Sequence, residues 1–533
     1  MYNWANAFER NKKWLYFALI ATFIWGLAAH GYAFFDNNVS HDSLNEFHGA
    51  ILGNNIKMNS GRVFVPVYRD LLRSDATLPW LIGILSLFWT GLAVFLVIRI
   101  FHVESKVIAF LIAGIFTTNI SVSATAATYL HDLDCNMFSL MCAVAAVYLW
   151  KYVSCGWLWG TVLIAISLGI YQSFLFTAVV LVMIASILDL LNEETFQTVF
   201  FRGLKAIAMF LIGGLLYYLL MQIMIPLSGT YLMQGEYNSL DVMKLLTPAK
   251  FLELSVSAYQ DCLFRLINAY SSYPSIMVKG ITALLFLICA AAVAIGLCNK
   301  KVRFPAKLLC VILILLLPLG MDMIHILTLG INHDLMVYAI WMFYLLVLLL
   351  ADWVIVKHKE TFRWSGKIVQ FQRLLCIFLV AVLLYGNVQF ANGMYLKKDL
   401  EYDAYLSLMT RVVARMESFD GYIAGETPVV FVGLPKTINS TIPGFLEYWN
   451  VTGMNSANVI STPVRSLFQA YFDYLLCTPL QLADAGVWNE ALKWDSVDQM
   501  PCYPASDFIA LSDGILIVKL GDVPAEPEKI SWH

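Results

Sequence analysis

The sequence predicts an α-helical polytopic membrane protein of about eleven transmembrane helices, followed by a small C-terminal α/β domain. Three observations carry this expectation. Of 533 residues, 60% are hydrophobic and only 13% are charged, whereas soluble domains carry roughly 25% charged residues. Apolar runs of spanning length, about 20 residues, recur from Trp14 to Ala391. The composition then changes: from Asn392 onward 17 acids face 9 bases, a net −8, which leaves +5 for the preceding part of a chain whose total is −3. Such a split suggests an acidic soluble domain attached to a membrane core with basic faces. Nucleic acid is excluded as a partner, because no basic cluster interleaved with aromatics lies on a soluble element.

Taken in order, the spans fall at 14–35, 80–99, 107–129, 136–152, 157–171, 174–191, 206–226, 276–298, 307–328, 335–356 and 369–391. The first follows Arg10, Lys12 and Lys13. It is too long for a cleaved signal's apolar core and reads as a retained anchor. Lys and Arg collect in alternate loops, and the turns at 129–135, 171–173 and 329–334 carry none. By the positive-inside rule the N-terminus is cytoplasmic. Dividing 156–191 at Gly169–Phe174 keeps every later loop on its proper side and places Tyr171 and Gln172 at the outer surface. The expected domains are therefore residues 1–391, a membrane core with outer loops 36–79 and 227–275, and residues 392–533, a periplasmic α/β domain.

Within the second outer loop, residues 247–270 have helical spacing of apolar and polar positions, as in a helix lying at the interface. The tail reads as an amphipathic helix near 395–418, a β-branched run at 427–433, a helix around 465–477 and a strand at 515–520 after Ser-Asp-Gly. Cys477 and Cys502 are the cysteines in this outer domain, where a bridge is permitted. No CxxC or Cys/His cluster indicates zinc.

Chemistry-bearing residues gather on the outer side. The first loop is far longer than a connector needs, and five acids, two histidines and four bases crowd into it. Asp42 lies a few residues beyond the first span, where a partly desolvated carboxylate can act as a general base on a hydroxyl beside a lipid phosphate. Asp36 and Glu46 are rivals, and Asp42 and Glu46 would share a helix face. In the His131-Asp132-Leu133-Asp134 turn, extended backbone would point both acids the same way, able to ligate a divalent cation or to fix an acceptor hydroxyl. His333 beside Asp334 reads first as a local hydrogen-bonded pair. Arg62, behind Gly61, lies outside against the positive-inside bias, and a lipid phosphate is its natural counter-ion. Lys57, Arg69 and Arg265 are lesser candidates of the same kind.

An acid soon after the first span, a long first outer loop with Gly-Arg, many further spans and a small outer tail together resemble the polyprenyl-phosphate-sugar-dependent glycosyltransferases of the GT-C superfamily. More narrowly, the chain resembles the glucosyltransferases that modify O-antigen and convert serotype. The stretches NNVSHDSLNEFHGA, SGRVFVP, HDLD, GIYQSF and MPCYPASDFIALSDGILIVKL carry the likeness. The resemblance implies a bacterial inner-membrane enzyme moving glucose, or a related hexose, from undecaprenyl phosphate to a lipid-linked O-antigen or other surface glycan at the periplasmic face. A donor synthase and a flippase would be its partners, and a divalent cation its one conceivable cofactor. Asp42 becomes the catalytic base and Arg62 the holder of the donor phosphate. Glu46, Asp132 and Asp134 stand as further catalytic acids, and His41, Arg69, His131, Tyr171, Gln172, Arg265, His333 and Asp334 as substrate-binding residues. The loop has His-Asp where that family has adjacent acids, so Asp42 alone, Asp42 with Glu46, or Asp42 with Asp132 and Asp134 all stay open.

The chain shows no Gly-rich phosphate loop on a strand–helix turn, which disfavours a nucleotide-sugar donor. The main rival is a transporter or flippase for a lipid-linked glycan. It calls for ionisable residues in mid-span and an internal repeat. Asp322 and His325 meet the first requirement, and no repeat meets the second. A glycan polymerase or ligase is the nearer alternative, but would place its large outer loop late in the chain.

Overall fold

The computed structural model describes residues 4–36, 44, 50–234, 245–361, 366–435 and 465–523. Among them, ten helices are long and apolar enough to cross a membrane, and an eleventh apolar helix, Gly156–Leu168, is shorter. The expected polytopic helical class is what the chain adopts. Its two compact units are described separately: one comprises Met1–Phe35, Asn54–Ala126 and Asp132–Asn392, the other Asp36–Gly53, Ala127–His131 and Gly393–His533.

In the first unit, local chemistry explains where the helices stop. Lys106–Thr118 and Ile120–Thr128 are separated at Asn119. Its amide donates back to the Ile115 carbonyl at 2.9 Å and its side-chain oxygen accepts from Ser121 N–H at 3.1 Å. A short polar side chain that bonds local backbone in this way competes with the helix ladder. The division expected near Gly169 is present: Gly156–Leu168 ends there and Phe174–Leu191 follows. Phe196–Leu227 has 32 residues, longer than the expected 206–226, with the Thr195 hydroxyl accepting from Thr198 N–H at its start and Pro226 near its end.

Two expectations need correction. The helix expected to run through 328 stops at Met321, and Asp322 leaves helical geometry before a short helix, Met323–Leu327. A fully buried carboxylate needs partners that a helix interior does not provide. Asp322 finds one in the Asn332 amide, 3.1 Å away on the following turn. Asp322 and His325 therefore lie at a break between two helices and not within one continuous span. The second correction concerns 369–391 and 395–418, expected as two helices. They form one, Gly366–Glu417, of 52 residues. No proline interrupts it, and an internal glycine such as Gly393 costs only about 1 kcal/mol.

In the second unit, four strands form a sheet in the order β2-β1-β4-β3, with β1 at Pro428–Val432, β2 at Gln481–Leu482, β3 at Ile509–Ser512 and β4 at Ile515–Lys519. Central β1 pairs in parallel with β2 and β4, while β3 and β4 form an antiparallel hairpin. The hairpin turns at Asp513-Gly514, both with positive φ, the type I′ geometry that an Asp-Gly pair favours. Val429 to Val432 are wholly buried, as suits a parallel strand covered on both faces. The Phe431 ring stacks on Phe468 at 4.4 Å and lies near Phe472 and Trp488. The β1 and β4 runs and the helix beginning at Arg465 were legible in sequence, whereas β2, two residues long, and β3 were not. Cys477 and Cys502 are free thiols.

Truncating Phe431 to Ala empties the centre of this core. Thermal unfolding of the full-length protein, followed through tail tryptophans such as Trp488, should register a loss of about 3–5 kcal/mol.

Candidate active site

The segment between the first two apolar spans builds the site from its helix ends. Ala50–Asn59 closes with Gly61 in left-handed geometry (φ +77°). Gly61 N–H donates to the Met58 carbonyl at 2.9 Å and Arg62 N–H to the Lys57 carbonyl at 2.9 Å. This paired pattern is a Schellman cap, with glycine at the position that requires positive φ. A Cβ on Gly61 would come within 2.7 Å of the Tyr217 hydroxyl, which itself donates to the Gly61 carbonyl at 3.0 Å. The cap thus fixes the direction in which Arg62 leaves the turn. Val65–Leu72 follows, with Arg69 and Arg73 four apart and so on one helical face.

The two carboxylates of the HDLD turn receive these bases. Their backbone is not extended as expected: Asp132 caps the helix Leu133–Tyr152, and Asp134 lies in its first turn. Asp132 is contacted by Lys57 Nζ at 2.6 Å, Arg69 Nη2 at 2.8 Å and Arg62 Nη1 at 3.5 Å. Asp134 pairs with Arg73 Nε at 2.7 Å. Three cations thus gather around one buried carboxylate. Lys57, Arg69, Asp132 and Asp134 are buried, while the Arg62 side chain retains 21% exposure. Of the bases on Asp132, Arg62 is the one a ligand can most easily reach.

The Gly169–Phe174 turn completes this side. The Phe64 N–H donates to the Gly169 carbonyl at 2.8 Å. The Tyr171 ring lies 5.2 Å from the Arg62 guanidinium carbon, a cation–π contact. The Gln172 amide reaches the Ser60 carbonyl at 3.4 Å and the Tyr217 hydroxyl at 3.3 Å. Val63, the next residue after Arg62, helps to line a largely apolar groove of about 320 Å³ together with Met58, Pro66, Val67, Met224 and Leu227 among others.

Tyr171 leads to a second polar cluster through its hydroxyl, which donates to the Leu335 carbonyl at 3.3 Å. There Arg265, on the helix Pro248–Ile267, binds Asp261 through Nε at 2.6 Å and Asp334 through Nη1 at 2.5 Å. Asp334 is wholly buried, and its carbonyl accepts from the Ser121 hydroxyl at 2.6 Å. Burial opposes the Asp261 charge, but hydrogen bonding and attraction from Arg265 prevail and hold its carboxyl below the ordinary range. Burial also works against the Arg265 charge, and Asp261 and Asp334 more than offset it, so its pKa is raised. Partly buried His333 is lowered by desolvation, against the pull of Asp334.

Of the residues singled out by sequence, Arg62, Arg69, Asp132, Tyr171 and Gln172 are brought together, with Asp134 close by along the chain. Arg265 and Asp334 meet in the second cluster. His131 is buried and packs edge-on against Tyr129. His41, Asp42 and Glu46 lie outside the described residues. Sequence reasoning missed Tyr217, which in a 32-residue apolar helix looks like any other membrane tyrosine. It also missed Asp261 and Asn332, which bond to each other across 71 positions and which join Arg265 and Asp322 to the same cluster.

The sequence profile of the Glucosyl transferase GtrII family matches residues 31–351. The chain belongs to that family. No curated protein and no solved structure matches it. It is accordingly a multi-pass membrane glycosyltransferase, with a sugar donor, a glycan acceptor and O-antigen modification as the family's work. The matched stretch contains both polar clusters and the apolar groove. In this GtrII enzyme the buried ion pairs tie Lys57, Arg62, Arg69 and Arg73 to the start of the helix Leu133–Tyr152.

Removing one partner of a buried pair leaves the other charge uncompensated, a cost of about 3–5 kcal/mol. Asp132→Asn should lower the thermal stability of the purified enzyme by that order, whereas Glu490→Gln, which breaks an exposed pair with Lys493, should leave it almost unchanged.

Proposed function

We propose that this GtrII enzyme takes glucose, or a related hexose, from undecaprenyl phosphate and delivers it to a lipid-linked O-antigen or another surface glycan at the periplasmic face of the bacterial inner membrane. Arg62 holds the donor phosphate and Asp42 is the general base. The observation that carries the reading is a partly exposed guanidinium, at the edge of a cluster of three bases on Asp132, immediately ahead in sequence of the apolar groove residue Val63. A headgroup bearing phosphate on an isoprenoid tail has these two requirements side by side.

In the transfer, the acceptor hydroxyl oxygen bonds to the anomeric carbon as its proton passes to the Asp42 carboxylate. The bond from the anomeric carbon to the phosphate oxygen breaks, and its electron pair leaves with the lipid phosphate. A diester carrying one negative charge becomes a monoester able to carry two. Preorganised positive charge is worth most where charge develops in this way, in a site shielded from water. Lys57 and Arg69, held by Asp132, supply the fixed field, and Arg62 supplies the direct contact. Asp132 and Asp134 act as positioning residues for the bases. The second cluster, with Arg265, His333 and Asp334, lies beyond Tyr171 and suits the hydroxyl-rich acceptor. Orientation of this face toward the periplasm follows from the distribution of Lys and Arg among the loops.

With membranes, undecaprenyl-phosphate-glucose and an O-antigen acceptor, Arg62→Ala should lower kcat/KM by about 10²–10³-fold, the usual cost of losing one charge-stabilising donor. Arg62→Lys should recover part of that loss. Asp42→Asn should reduce kcat by about 10²–10⁴-fold. Transfer at the wild-type rate by either the Ala or the Asn variant would remove that residue from the mechanism.

A further inference from the structure

The geometry points to a divalent-cation site formed by Asp261, Asp322 and His325, distinct from the Asp132 cluster and independent of the donor assignment above. One ligand atom from each residue lies within 4.8 Å of the other two, close enough for a single ion to touch all three. Sequence does not suggest this grouping, since the residues come from the helix Pro248–Ile267, the end of Phe304–Met321 and the short helix Met323–Leu327.

Two buried atoms aim into this space without a hydrogen-bond partner. Asp322 is wholly buried and its Oδ1 accepts from Asn332, but its Oδ2 has no partner. His325 is 7% exposed; its Nε2 lies 2.9 Å from the Ser257 hydroxyl, and its Nδ1 is unpartnered, 3.9 Å from Asp261 Oδ2. With Nε2–H donating to Ser257, the Nδ1 lone pair faces the carboxylates. This is the arrangement that fixes a metal-binding tautomer, the second ring nitrogen being held by an outer partner. An orphaned buried acceptor costs free energy, and a cation held between these two atoms and Asp261 would satisfy both.

The charge balance agrees. Asp261, Asp322 and Asp334 face a single guanidinium, Arg265, which binds Asp261 and Asp334. A dication bound among these acids would offset carboxylate charge that Arg265, engaged with Asp261 and Asp334, does not meet at Asp322. Two carboxylates and one imidazole suit a first-row ion such as Mn²⁺ or Zn²⁺ more than Ca²⁺ or Mg²⁺, which prefer oxygen-only shells. Three protein ligands leave coordination positions vacant, and Asp261, whose side chain is 21% exposed, lies on the open side. A water or a sugar hydroxyl could occupy those positions.

Full-length protein in detergent, stripped with a chelator, would be titrated with Mn²⁺ alone while free ion is followed by electron paramagnetic resonance. One Mn²⁺ per chain is expected, with ¹⁴N modulation from His325 in the pulsed spectrum. Asp322→Asn and His325→Gln should each weaken binding at least tenfold. Wild-type protein that takes up no ion, or takes up one without nitrogen coupling, would overturn the proposal. So would variants that are correctly folded by elution profile and bind like wild type. Should a variant fail to fold, the nitrogen coupling in the wild-type spectrum decides alone.

Discussion

Asp132 is a carboxylate taken wholly out of water and surrounded by Lys57, Arg62 and Arg69. Burying a charge is tolerable only where it is paired and hydrogen-bonded, so the acid and its bases constrain each other. The bases come from two short helices and the turn between them. Neither helix has the length to be stable alone. The ion pairs, together with the Gly61 cap against Tyr217 and the Phe64–Gly169 backbone bond, turn this segment into a fixed surface. The groove and the exposed edge of Arg62 exist because that surface is fixed.

On the proposed reading the two polar clusters divide the work that a sugar transfer demands. One gathers bases around a buried carboxylate, the other gathers acids around one guanidinium, and Tyr171 touches both. A lipid phosphate would be matched to the first by charge, and a polyhydroxylated acceptor to the second by hydrogen bonding. A donor already activated on a lipid would call for no nucleotide-binding domain, and the sequence shows no Gly-rich phosphate loop on a strand–helix turn.

Much of this was readable before any coordinates. Among the described residues, ten of the eleven apolar runs are matched by helices of spanning length and the other by the shorter Gly156–Leu168, since spanning length and composition are set by the bilayer. Arg62 stood out as a cation behind a glycine on the wrong side for its charge, and Tyr171 and Gln172 stood out through the break in a long apolar run. What could not be read is pairing across long separations. Arg69 with Asp132, or Arg265 with Asp334, is a matter of which helix lies beside which, and a single sequence carries no such signal. Asp322 misled because it is embedded among apolar residues; only its bond to Asn332 explains why the helix ends there. The Asp132–Asp134 spacing suggested extended backbone, but a helix start lets Arg69 and Arg73, one turn apart, each take its own acid.

The account stands on the phosphate lying at Arg62 with its tail in the adjoining groove. A cryo-electron microscopy structure with undecaprenyl phosphate bound tests this most directly. Phosphate density within ion-pair reach of the Arg62 guanidinium, about 4 Å, and isoprenoid density running along Met58, Val63 and Leu227 is the predicted result. A headgroup bound away from Arg62, with that groove filled by nothing or by bulk lipid alone, would contradict it.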